Sequence, residues 1–134
     1  MGTWDFGPFD NDDAADWIAA LERSTDTSTL RAALSAITEI GDEYLEAPDC
    51  CNALAAAEII AALHGHPIAS MSEDAQNWVN AHRGLDVSSL VPVAQTAVER
   101  IRHNSELKEL WDESEDAAHW YATLNDVLSR LDLK

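Results

Sequence analysis

From Cys50 to Leu63 the chain reads Cys-Cys-Asn-Ala-Leu-Ala-Ala-Ala-Glu-Ile-Ile-Ala-Ala-Leu, with Glu58 as its only charge. Alanine and leucine favour helix, and a helix that is apolar on every side has to be surrounded by other elements. The run falls well short of the roughly 20 apolar residues that cross a bilayer, so its surroundings must be protein. Pro48 suits the first turn of such a helix, and Gly65 and Pro67 end it. The branched residues elsewhere never alternate long enough to predict a strand. The prediction is an all-α fold: a single domain over residues 1–134, built as one bundle of about six or seven helices, with the apolar helix near residues 49–64 at its centre. With 46% hydrophobic residues the chain has material for a core without staples.

The surrounding helices are read from apolar spacing. Ala14, Trp17, Ile18 and Leu21 form one stripe at i, i+3, i+4 and i+7 after Asn11. Leu30, Leu34 and Ile37 form a second, which the pattern extends through Tyr44 to Glu46. A fourth helix is expected from Ser72 to His82, and a fifth through Leu90, Ala94, Ala97, Val98 and Ile101, with Pro92 in its first turn. Ser105 opens a short helix holding Leu107, Leu110 and Trp111. The last holds Trp120, Leu124, Val127, Leu128 and Leu131.

One local template recurs. Asn11 to Trp17, Ser72 to Trp78 and Ser114 to Trp120 each read cap, acid, Asp, Ala, two variable positions, Trp. The cap side chain accepts from a free backbone N–H, the acids face the positive end of the helix dipole, and the Trp anchors the second turn. The unequal spacing makes this repeated helix-start chemistry rather than a duplicated unit.

Charge is the extreme feature. Twenty-five acids against eight Lys and Arg leave a formal net charge of -17. Such a field repels nucleic acid and anionic membranes and favours salt-sensitive encounter with basic partners. No secretory signal opens the chain, which makes the cytoplasm the default compartment. Cys50 and Cys51 are adjacent, close almost no loop as a disulfide, and read as two buried thiols.

Candidates for chemistry are few. Asp10, Asp12 and Asp13 begin like a calcium loop, but its required Gly and Glu fall on Ala15 and Leu21. His64 and His66 flank Gly65 at a helix end, a capping arrangement. Asp116 and His119 have the i, i+3 spacing of di-metal bundles without the second copy those sites need. No metal site and no cofactor signature is expected, and no nucleophile elbow or phosphate loop occurs. Glu58 is different. A carboxylate in an apolar helix is paired, neutral or reaching solvent, and a partner such as Arg100 or Arg31 competes with a raised-pKa acid in a pocket. Residues 1–10 form an irregular segment rich in aromatics, Gly and Pro, expected to pack on the bundle. Its Trp4, Phe6 and Phe9 read either as a lid or as a recognition patch ringed by acids.

Met1-Gly2-Thr3-Trp4 and the stretch from Gly7 to Trp17 resemble the opening of a bacterial family known as domain of unknown function 4259. Ala55 to Leu63 and Ser105 to Trp111 also resemble that family. The likeness implies a helical domain of about this length and a bacterial origin, and brings no activity with it. It places any common site on Trp4 to Asp13.

Two functions compete on these grounds. The first is a non-enzymatic acidic binding protein for a basic protein partner, in the manner of an antitoxin or immunity protein. Trp4, Phe9, Asp10, Asn11, Asp12 and Asp13 would be its contact region. The alternative is a small enzyme that uses Glu58 in a helical pocket. Self-association is a third possibility, which net charge opposes.

Overall fold

In the computed structural model, which describes residues 12–41, 43–68 and 71–132, seven α-helices follow one another. They are α1 (Asp12–Leu21), α2 (Ser28–Thr38), α3 (Ala47–Leu63), α4 (Glu73–Ala81), α5 (Val91–His103), α6 (Glu106–Asp112) and α7 (Ala117–Asp132). No strand occurs among the described residues. The all-α expectation holds, and α3 is the central helix: it packs against each of the other six. Every residue from Ala53 to Ala62 is buried. Alanine methyls let neighbouring helices approach closely, while Leu54, Ile59 and Ile60 fill the gaps between them. The buried apolar residues of all seven helices form one continuous cluster.

Helix ends follow the chemistry read from the sequence. Pro48 and Pro92 sit in the first turns of α3 and α5, where a missing N–H costs nothing. Ser72 Oγ accepts from the Ala75 N–H at 3.4 Å, and Ser105 Oγ accepts from the Lys108 N–H at 3.0 Å. Ser114 Oγ accepts from the Asp116 N–H at 3.0 Å just before α7. The three tryptophans of the recurring template, Trp17, Trp78 and Trp120, are all buried. Backbone groups cap the end of α3. The His66 N–H donates to Ala61 O at 2.8 Å and the Gly65 N–H to Ala62 O at 3.0 Å. This pairing requires a left-handed residue, and Gly65 supplies it at φ +103°.

One helix is shorter than its pattern predicts. α2 stops at Thr38, so Tyr44 and Glu46 lie beyond it. Gly41 turns the chain at φ +74°, and the Arg100 guanidinium from α5 donates to Ile37 O (3.1 Å) and to Gly41 O. A cation on the last carbonyls stabilises a helix C-terminus and fixes where it ends. The chain then runs to α3 with Leu45 buried and Tyr44 exposed.

Candidate functional site

The Glu58 carboxylate, 1% exposed, points from α3 toward α7 and meets Arg130. Arg130 Nη1 donates to Oε1 at 2.7 Å and Nη2 to Oε2 at 2.9 Å, a two-pronged pairing. Arg130 Nη1 also donates to His66 O at 3.2 Å, and Nε donates to Asp126 Oδ2 at 2.8 Å. The partner expected from sequence was Arg100 or Arg31, and both are corrected. Arg100 is engaged with the Ile37 and Gly41 carbonyls and Arg31 is exposed. Burial pushes the Glu58 carboxyl up. The Arg130 hydrogen bonds and charge pull it back without cancelling the effect, and nearby Asp126 adds repulsion. Both Glu58 oxygens are thus engaged inside the bundle, and Glu58 lines neither of the two grooves described below.

Of the candidate binding residues, Trp4, Phe9, Asp10 and Asn11 lie outside the described residues. The expected packing of residues 1–10 on the bundle lies there too. Asp12 is the first residue of α1, and Asp13 follows in the same turn, partly exposed. That end of α1 sits near the start of α3. Burial pushes the Cys51 thiol up to about 12, with the Asp13 charge contributing. Burial does the same for Cys50, also to about 12, so both are buried, protonated thiols.

Two grooves open on the described surface. One, of about 570 Å³, lies where α1, α2 and α3 meet, with Trp17, Ala32, Ala33 and Ala36 as its apolar wall and Ser28, Asp49 and Asn52 as polar neighbours. The other, of about 440 Å³, lies along α6 and is lined by Tyr44, Glu106, Glu109, Leu110, Asp112 and Glu113. Tyr44 is 53% exposed and Leu110 is 51% exposed, the two large hydrophobic residues most open to solvent among the described residues.

Local sequence builds this second groove. Leu107 and Trp111, at i, i+4, face the core and fix the rotation of α6. Glu106, Glu109 and Glu113 fall at i, i+3, i+7 along one side of the helix. Leu110 was expected to share the buried stripe. It is 51% exposed instead, while Leu107 and Trp111 take the buried side of the seven-residue helix. The segment before α3 is tied to the same helix. The Glu106 N–H donates to Leu45 O at 2.9 Å, and Glu106 Oε1 accepts from the Ala47 N–H at 2.7 Å. The Tyr44 hydroxyl donates to Glu109, and that bond raises its pKa to about 12. Lys108 Nζ donates to Asp112 Oδ2 at 2.7 Å, and the Tyr121 hydroxyl donates to Asp112 Oδ1 at 2.8 Å.

Among the described residues, no group of three or more His, Cys, Asp or Glu could hold a metal ion. No helix there is long and apolar enough to cross a membrane. Neither a curated protein nor a solved structure matches the chain. A family does match, over residues 2–123, which covers the recurring Trp templates, the apolar helix and the α6 groove alike. The chain therefore belongs to the uncharacterised family described as Domain of unknown function (DUF4259).

Proposed function

We propose that this protein is a non-enzymatic binding protein that presents an acidic face to a basic protein partner. One observation carries the reading: 25 carboxylate side chains face eight Lys and Arg, a net charge of -17. The chain cannot neutralise that excess, and some of its few cations are turned inward. Arg130 is held by Glu58, and Arg100 by backbone carbonyls. A field of this sign accelerates encounter with a cationic surface and weakens as salt rises. In this reading Trp4 and Phe9 are the aromatic anchors and Asp10, Asn11, Asp12 and Asp13 the acidic rim. The setting is the bacterial cytoplasm, and the role is that of an antitoxin- or immunity-like cover for a basic site.

Affinity capture from a lysate of the source cells, at low and at physiological ionic strength, tests this. The control is the variant carrying Asp10→Asn, Asp12→Asn and Asp13→Asn. The expected result is one basic protein retained by the wild type, weakened by salt and lost with the variant. If wild type and variant retain the same background at both ionic strengths, the binding reading is wrong.

A further inference from the structure

We propose that the groove along α6 is a docking site for a basic amphipathic segment of a protein partner, one that seats an apolar side chain between Tyr44 and Leu110 and places Lys or Arg on the surrounding carboxylates. The inference rests on the binding function proposed above and moves its contact surface to a second part of the molecule. Two observations of different kinds meet here. The first is apolar. Tyr44 and Leu110 are half exposed, the other large apolar side chains among the described residues are more covered, and both line one groove of about 440 Å³. An exposed aromatic beside an exposed leucine is the composition of an interface centre rather than of an ordinary acidic surface.

The second is electrostatic and selects the occupant. Glu106, Glu109, Asp112 and Glu113 line the groove. The cation beside it, Lys108, is held by Asp112 at 2.7 Å. Glu109 accepts from the Tyr44 hydroxyl, which orients the ring along the groove wall and leaves carboxylate capacity for an incoming donor. Glu106 is tied to the Ala47 N–H and holds that wall in place. Glu113, exposed at the end of α6, is the freest of the four to meet an arginine. A second copy of this chain would bring its own net charge of -17 to the same surface, so self-association is disfavoured. A segment with an apolar side chain flanked by cations satisfies both halves of the site.

The test is fluorescence anisotropy with two labelled synthetic peptides of equal charge. One carries leucines and arginines at helical spacing; the other carries arginines with serine in place of leucine. The expected result is that the amphipathic peptide binds wild type at least about tenfold more tightly than the serine peptide. Leu110→Ser and Glu113→Gln should each weaken it about tenfold, a change of about 1.4 kcal/mol in binding. Both positions are exposed, so these variants are expected to keep the wild-type unfolding midpoint. Equal affinity for the two peptides, or affinity indifferent to Leu110 and Glu113, overturns the groove. So does a wild-type dimer, seen by sedimentation, that Leu110→Ser dissolves, since the occupant would then be a second copy. Loss of peptide binding only in the Asp10, Asp12 and Asp13 variant also overturns it and leaves the broader binding reading standing. The capture experiment judges that broader reading separately.

Discussion

Glu58 and Glu113 are the same side chain in opposite circumstances. Glu58 lies inside α3 with both oxygens on Arg130, and Glu113 follows the last residue of α6 beside an open groove. The first ties two helices together and is closed to anything outside; the second is exposed and can meet a partner. In a chain with 25 acids, charge alone does not separate structural carboxylates from available ones. Burial and hydrogen bonding do.

The largest effect that could break this contrast comes from Arg130→Met. It strands the Glu58 charge in the core and should cost about 3–5 kcal/mol in urea unfolding. Adding Glu58→Leu should recover most of that loss, because a well-packed apolar pair replaces a buried ion pair at little net cost. If Arg130→Met leaves the unfolding midpoint in place, Glu58 is not locked and the distinction fails. The same carboxyl sets a pH dependence. Its folded pKa lies above the ordinary value, so its contribution is fully present below that value and declines as pH rises through the folded one. The stability of wild type relative to Glu58→Gln should therefore fall as pH rises above the ordinary carboxylate range.

Smaller effects sharpen the comparison. Ala56→Leu forces extra methylenes into the filled centre of α3 and should cost about 1–3 kcal/mol. Ser105→Ala removes the α6 cap on Lys108 N–H and a buried bond to Ile101 O, and should cost about 1–2 kcal/mol. Chemical denaturation measures both. Leu110→Ser should change stability by no more than about 0.5 kcal/mol, since its side chain is half in water already. A larger loss would mean that Leu110 belongs to the core and not to a recognition surface.

Much of the fold could be read in advance, for local reasons. The centrality of α3 follows from its lack of a polar side, and Pro92, Ser72 and Ser105 mark helix starts through their own backbone chemistry. What failed was long-range. Tyr44 continues the spacing of Leu30, Leu34 and Ile37 well enough to extend α2, but Gly41 turns the chain and an arginine from α5 holds the end of the helix at Thr38. Spacing placed Glu58 in the interior, but it could not choose among arginines. Its partner is 72 positions away, on a helix whose rotation depends on Trp120, Leu124 and Leu131. The α6 groove was missed because Leu110 fits the apolar pattern. Its exposure of 51% is a matter of tertiary packing, which spacing does not carry.

The position of Arg130 in the chain has a consequence for synthesis on the ribosome. The α3 helix is complete once Leu63 has been made, yet the helices that cover it from the other side, α5 and α7, come later. At about 5–20 residues per second, the roughly 70 residues from there to the end of α7 take on the order of 3–15 s. Until α7 is made, α3 lacks the part of its cover that α7 supplies, and Glu58 lacks its guanidinium. An ionised Glu58 makes early collapse onto α3 unfavourable. Only when Arg130 is in place does that charge have its partner inside the bundle.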